Sequence, residues 1–478
     1  ILLSALLAGA LLSGCATPAV PTSTSGAPAS VVLPSVLNAT LASAMAFTES
    51  TVTAAVDFTG DLYEPTMEVC EDGSIYITGH TIAVDTTGPP VFGSHDDGAT
   101  WAQLPFLLSV ALPSPVQGAA PPPSDEIFLS CGDEGWLYGV DITLATYPVN
   151  AWADNGARHA YHNPNAYDES QNAIQAGGEG GDCVPLPAKD RPWGAYENGV
   201  LLLVSNPGGG PAQVGVMSVP PATPAAFGTA VDGIEWNLCA GPGGSIPGVP
   251  DISASGLYAV PQLSGGSLML VIGHKSSVMG SQIVEAFEVD SAGEITSFYG
   301  HAVFDDAETM FVGISNNTFH TEQRNGTDPL GRPTTTTVTV LDDGGMRFAS
   351  STDGGVTFGH RTFTIADQPL RHFYMDANEN GPGALVVWAV DGERDADGAG
   401  SGYDWYVGHL FLGADGAPVM ENVALAINEG PQPSAHVTGA AVGPDGRAYI
   451  AMYRSVAQGG TPLSVFIQQD GPTLPVAA

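Results

Sequence analysis

The chain has 478 residues, 50 of them Asp or Glu against 12 Lys or Arg, for a formal net charge of −38. Such a field repels nucleic acid and anionic membrane surfaces, which excludes both as partners; the acidic residues are spread through the chain without a block, as in a solvated acidic shell rather than a trap for cations or a cationic substrate. The 61 Gly and 38 Pro suit a turn-rich body of strands and argue against long helices.

Ile1 to Leu12 is an apolar run too short to cross a bilayer, followed by Ser13-Gly14-Cys15. It reads as the hydrophobic core of a secretory signal over residues 1–15, with the start missing because neither an initiating Met nor a basic stretch precedes it. Leu12-Ser13-Gly14-Cys15 resembles a bacterial lipobox, which implies lipidation at Cys15; an ordinary signal peptide with an incidental Cys, or a buried helix, is the alternative. Residues 16–49 open with uncharged Ala, Pro, Ser and Thr to about Ser35 and are expected to be a disordered tether. No later stretch reaches the roughly 20 apolar residues of a membrane span.

From about residue 50 to 470 one unit recurs: an apolar strand, a turn rich in Gly, Asp or Asn, then a second apolar strand. It is read at Thr66–Cys70 with Ile75–Thr78, Ile127–Ser130 with Leu137–Val140, and Trp193–Tyr196 with Val200–Val204. The fourth unit is read at Leu257–Val260 with Leu268–Ile272, the sixth at Phe373–Met375 with Ala384–Val390, and the seventh at Val437–Val442 with Ala448–Met452. The turn glycines lie about 65 residues apart, and a double gap between Gly266 and Gly383 predicts a fifth unit beginning near Met310–Ile314. Further strand-like runs after each pair complete four strands per unit. The pattern predicts an all-β fold, a seven-bladed β-propeller of four-stranded antiparallel blades, with a tail over 471–478. Pairing of Thr51–Phe58 with the last blade would remove the free sheet edges.

Two octapeptides fit S-x-D-x-G-x-T-[W/F]. One carries Ser94, Asp96, Gly98, Thr100 and Trp101; the other carries Ser351, Asp353, Gly355, Thr357 and Phe358. A short carboxylate accepts backbone N–H groups in a tight turn, and Gly supplies the positive φ such turns need. The pattern resembles the Asp box, or BNR repeat, of sialidase-type propellers. Sialidases have six blades, which makes six the alternative count. Asp190-Arg191-Pro192-Trp193 resembles the D-R-P-W entry strand of sialidase-like propeller proteins. The resemblance stops short of the catalytic set: Tyr63-Glu64-Pro65-Thr66 stands where the family has Arg-Ile-Pro, and no third arginine joins Arg191 and Arg371.

Loops entering the innermost strands of a propeller ring the mouth of its channel. There the sequence places Glu64, Asp125, Glu126, Asp190, Arg191, Asp251, Asp306, Glu308, Arg371, His372 and His436. Glu64, Asp190, Arg191, Asp251, Arg371 and His372 are the catalytic candidates, since converging carboxylates suit acid–base work or cation binding. The competing reading is hydrogen bonding between neighbouring blades. With Cys15 set aside, Cys70, Cys131, Cys183 and Cys239 are an even number, expected to pair as Cys70–Cys131 and Cys183–Cys239, with buried free thiols as the alternative. Asp376, Asn378 and Asn380 match the first half of a calcium loop, but Val387 stands where the bidentate Glu belongs; a capped hairpin turn explains them too, and no cofactor is required.

Two functions follow as expectations. The first is an exported, lipid-anchored, monomeric surface module that binds a glycan or an envelope protein. The alternative is an exported glycoside hydrolase using a pair of mouth carboxylates about 5 to 9 Å apart.

Overall fold

The computed structural model describes residues 29–32, 45–52, 62–81, 90–104, 124–132, 137–143, 149–154, 159–162, 190–206, 213–218, 239–240, 246–264, 267–274, 277–286, 300–315, 317–327, 332–366, 370–391, 402–430, 439–453 and 463–477. Among them every named element is a β-strand, and the strands form seven sheets. No helix among the described residues is long and apolar enough to cross a membrane.

β1 (Ala29–Val32) and β2 (Ala46–Thr51) precede the repeating body. The first sheet is β3 (Leu62–Val69), β4 (Ile75–Thr81), β5 (Phe92–Ser94) and β6 (Ala102–Gln103). The second is β7 (Ser124–Cys131), β8 (Leu137–Thr143), β9 (Val149–Asp154) and β10 (His159–His162). The third is β11 (Asp190–Glu197), β12 (Val200–Asn206), β13 (Gln213–Ser218) and β14 (Cys239–Ala240). In the fourth, β15 (Ile246–Pro247) and β16 (Asp251–Ile252) both pair with β17 (Leu257–Ser264), which leads to β18 (Ser267–His274) and β19 (Ser277–Ala286). The fifth is β20 (His301–Phe304), β21 (Met310–Ser315), a side strand β22 (Thr318–Thr327), β23 (Pro333–Ser351) and β24 (Gly359–Ala366). The sixth is β25 (Leu370–Ala377), β26 (Ala384–Asp391), β27 (Tyr403–Leu412) and β28 (Pro418–Gly430). The seventh holds β29 (Gly439–Val442), β30 (Ala448–Tyr453) and β31 (Leu463–Asp470), with β2 as its fourth strand.

The first strands of successive sheets pack together in a closed cycle. β3 meets β7, β7 meets β11, and β11 meets β16; β16 meets β20, β20 meets β25, β25 meets β29, and β29 returns to β3. This is a β-propeller arrangement, with sheets radiating from a common axis. Apolar residues fill the wedges between sheets, as where Met67, Ile75 and Phe92 of the first sheet meet Tyr449, Val465 and Ile467 of the seventh. Middle strands are covered on both faces, so Ala384–Val390 is an unbroken buried apolar run. The turns from first to second strand share one build: Gly73, Gly256 and Gly446 donate to the carbonyl three residues back at φ of 81°, 87° and 77°. Glu308 holds that position in the fifth sheet at φ 57°, a left-handed conformation that costs a side-chain-bearing residue more than Gly.

Four expectations need correction. Leu257–Ser264 and Ser267–His274 are the second and third strands of the fourth sheet, because the short segments at Ile246–Pro247 and Asp251–Ile252 form its inner edge. Likewise Met310–Ser315 is the second strand of the fifth sheet, since His301–Phe304 pairs inside it. The closing strand is Ala46–Thr51, paired with Asp470–Ser464, and 53–61 fall outside the described residues. Finally, Ala29–Val32, within the expected tether, pairs in parallel with Arg361–Thr364 of β24: Ala-Ser-Val-Val has the backbone donors and β-branched side chains that an outer edge accepts. The C-terminal segment is ordered against the turns: Leu474 N–H donates to Gly446 O at 2.9 Å and Ala477 N–H to Asn380 O at 2.6 Å.

Candidate functional site: the channel mouth and bore

Four inner strands carry a break in register near their entry ends. It falls between Tyr63 and Thr66 in β3, between Ser124 and Ile127 in β7, between Asp190 and Trp193 in β11, and between Leu370 and His372 in β25. The residues set out of register are Glu64-Pro65, Asp125-Glu126, Arg191-Pro192 and Arg371. Two are prolines, which have no N–H for the ladder and are tolerated where it is already interrupted. Bulges bend a strand and re-aim its side chains. Glu64 adopts φ 47°, an uncommon conformation for a residue with a side chain. Glu64 is partly exposed and Arg371 exposed. His372 is buried, its ring stacked on Trp405 at 5.4 Å between centroids and beside Tyr403 at the same separation. Of the other expected mouth residues, Asp125, Glu126 and Arg191 sit on bulged backbone at the same end, Asp190 pairs with Asn206 beside it, and His436 lies outside the described residues.

The Arg371 bulge is held from the fifth sheet. Asn317, buried at the base of β22, accepts Leu370 N–H at 2.8 Å and donates its amide N–H to Leu370 O at 3.0 Å. This side chain takes the place of a ladder partner where the register breaks. Nothing in the order of residues marked it.

Asp251, Asp306 and Glu308 are not at the mouth. Asp251 lies near the far end of its inner strand, and the other two lie in the turn after β20, because each inner strand begins earlier than its apolar run. Asp251 belongs to a set of bore-facing carboxylates. Its carboxylate accepts Ile252 N–H and, from the next sheet, Phe304 N–H, both at 2.7 Å. Asp376 accepts Val442 N–H of the next sheet at 2.7 Å, and Glu68 accepts the backbone of Cys131. Ser130 Oγ does the same for Tyr196 N–H at 3.0 Å. Each side chain sits two residues before a turn and braces its sheet to the next.

Glu68, Asp251 and Asp376 are partly buried, and Glu379 in the following turn is exposed. Burial, then the charges of Asp376, Glu379 and Asp251, raises Glu68. Burial dominates at Asp251 as well, with Glu379 and Asp376 adding to it. Asp376 is pushed up to about 8 by burial and then Glu379. Glu379 itself is raised by burial and Glu71. Asp376 therefore keeps its proton near neutral pH, since no cation is among the groups that shift it. Tyr374 is raised by burial and the same acids. His301, edge-on to Tyr374 at 4.6 Å, is lowered to about 3 by burial and is neutral.

Asp376, Asn378 and Asn380 do not form a preformed cation cage. Asp376 accepts Val442 N–H, and the buried Asn378 amide N–H donates to Pro382 O at 3.2 Å and Pro475 O at 2.7 Å, while its Oδ1 has no hydrogen-bond partner among the described residues. No group of three His, Cys, Asp or Glu able to hold a metal occurs among the described residues.

Both octapeptides join the third and fourth strands of their sheets, at the outer rim. Their bonding is the same. Ser94 Oγ donates to Asp96 Oδ1 at 3.0 Å and accepts Gly98 N–H at 2.9 Å, while Thr100 reaches Asp96 through N–H at 2.8 Å and Oγ1 at 2.6 Å. Ser351, Asp353, Gly355 and Thr357 repeat it at 2.8, 2.9, 2.9 and 2.6 Å. Trp101 Nε1–H donates to Ser50 Oγ at 2.8 Å, tying the first turn to the closing strand. Arg447 grips Asp97 with two bonds of 3.0 Å and Asp445 with a third, joining the seventh sheet to the first. Cys70 and Cys131 are joined by a disulfide across the first two sheets. Cys15 and Cys183 lie outside the described residues, as does the side chain of Cys239 in β14.

No protein-family model matches the chain, and no curated protein matches it. Among solved structures it is similar to the phage phi92 endosialidase, with 12% identity over 91% of this chain and 70% of that one, at a TM-score of 0.41. A leech intramolecular trans-sialidase matches at 10% identity over 89% and 70% of the two chains, TM-score 0.38. The Penicillium chrysogenum α-L-arabinanase matches at 10% identity over 90% and 98%, TM-score 0.39. The propeller assignment stands on the sheet order and the closed cycle, not on these values.

Proposed function

We propose that this protein is an exported, lipid-anchored, sialidase-like propeller of seven blades that binds a glycan or an envelope protein at its channel mouth. The observation that carries the reading is the coincidence of four breaks in register at one end of the inner ring, at Glu64-Pro65, Asp125-Glu126, Arg191-Pro192 and Arg371. A strained, partly exposed Glu64 supports it, since conformational strain gathers where recognition requires it. The octapeptide turns, with the bonding expected of Asp boxes, support the sialidase-like ancestry, and the sheet cycle supports the blade count. Glycan-array and envelope pull-down assays should show a ligand for the native chain and a loss of at least about tenfold for Arg371→Ala or Glu64→Ala. A chain that binds nothing, or variants that bind as the native does, would defeat the proposal.

A second reading rests on the raised carboxyls. An acid titrating near 8, as Asp376 does, is protonated at neutral pH and suits general-acid work in an exported glycoside hydrolase. Against it, Asp376 and Asp251 each hold a neighbouring strand through a backbone N–H. Turnover of aryl glycosides that disappears in Asp251→Asn with folding intact would favour hydrolysis.

A further inference from the structure

The connection from β21 into β23 is a two-stranded ribbon, paired from Thr318 opposite Asp343 to Thr327 opposite Pro333. Among the described residues β22 pairs with β23 alone. Gln323 to Gly326 and Arg332 to Thr337 are exposed. A lone two-stranded ribbon is marginal in water, and an open edge is a template for another strand. Edges are usually blunted by Pro, bulges or like charge. β22 has no Pro, no register break beyond Phe319, and only two charges, Glu322 and Arg324, of opposite sign.

These charges lie two residues apart, hence on one face of the strand, where Arg324 Nε–H donates to Glu322 in the same chain; the side chains are 63% and 41% exposed, so the pair can exchange for the same pair across a two-fold axis. They are self-complementary about a two-fold axis. Two copies of β22 laid antiparallel with Gln323 opposite Gln323 set Glu322 of each copy against Arg324 of the other. In the same register Thr321 faces Asn325 and His320 faces Gly326. A slip of one residue puts Glu322 against Gln323 and loses both pairs, so charge fixes the register of an otherwise polar strand. The body of the chain, at −38, repels a second copy. The balanced charge of β22 makes its edge the place where two copies can approach.

We propose that the free edge of β22 is a homodimer interface, in which two ribbons join into a four-stranded antiparallel sheet about a two-fold axis. This replaces the single-chain state expected from composition. Sedimentation of the full chain at micromolar concentration and about 0.15 M salt tests it, since salt screens the repulsion between bodies. The mass should move from one chain to two as concentration rises. Glu322→Arg and Arg324→Glu should each weaken association by roughly tenfold or more, by setting like charges face to face. The double swap Glu322→Arg with Arg324→Glu should restore it, which separates the pairing from damage to the ribbon. Gln323→Cys should form a disulfide between copies under mild oxidation, and Thr337→Cys on the inner strand should not. A chain that stays monomeric, dimers indifferent to both single substitutions, or a ribbon that captures only foreign extended peptides would overturn the proposal.

Discussion

Asp376→Asn is expected to flatten the loss of stability that this protein suffers as pH rises. Burial and the Glu379 charge push the Asp376 carboxyl up to about 8 in the folded chain, against 3.8 for the ordinary side chain. Between those values the folded state holds a proton that the unfolded chain has released. Stability changes with pH as protons bound unfolded minus protons bound folded, and here that difference is negative. The contribution is therefore fully present below about 4, falls across the window, and is gone above about 8. One group of this kind costs about 1.4 kcal/mol per pH unit, or at most about 2.7 kcal/mol between pH 5 and 7. That figure is a ceiling, because the Asp376 side chain is only partly buried. Asparagine retains an oxygen for Val442 N–H, now at 2.7 Å from Asp376 Oδ2, and does not titrate. Urea unfolding at pH 5, 6, 7 and 8 measures both slopes, and the repulsion from a net charge of −38 is a background nearly common to both chains. Parallel curves for the native chain and the variant would refute the reasoning.

Other consequences follow from the same contacts. Replacing Cys70 and Cys131 by Ser opens a link across 61 residues and should cost about 4 kcal/mol, seen as a lower melting temperature that reductant no longer changes. Asn317→Ala leaves the backbone N–H and C=O of Leu370 without their partner; it should destabilise by about 2–4 kcal/mol and weaken ligand capture with Arg371 intact, measured by calorimetry and by binding. Arg447→Met frees the corner between the first and seventh sheets; a loss of about 1 kcal/mol that shrinks in high salt is expected from melts at two ionic strengths. Melting midpoints should be unchanged by EGTA, because Asp376 is engaged by Val442 N–H; a lower midpoint in EGTA would point to a cation held by Asp376 with the buried Asn378 Oδ1.

Where first strands carried apolar residues, the repeat was legible: Thr66–Val69 and Phe373–Met375 fall within inner strands. The fourth and fifth sheets slipped by one strand because their inner edges are very short, at Asp251–Ile252 and His301–Phe304, and offer no run to recognise. The glycine pair Gly265-Gly266 then imitated a first turn. The octapeptides announced their turns because the Ser, Asp, Gly and Thr bonds that close them are local, between residues at most four apart. Braces between sheets are not local, so Glu68 stands out in no motif, and Asp376 does so only as part of a candidate calcium loop and not as a brace. A signal was nevertheless present: Glu68, Ser130, Asp251 and Asp376 each stand five residues before a glycine of the following turn. Bulges were hinted at only by Pro65 and Pro192, and Arg371 had no such marker.

The seventh sheet takes β2 from the beginning of the chain and β31 from its end. Its hydrogen bonds between β2 and β31 therefore join segments more than 400 residues apart, the longest-range pairing of the ring. Until they form, the first and seventh sheets keep raw flanks, so closure comes late and slowly beside the hairpins within each sheet.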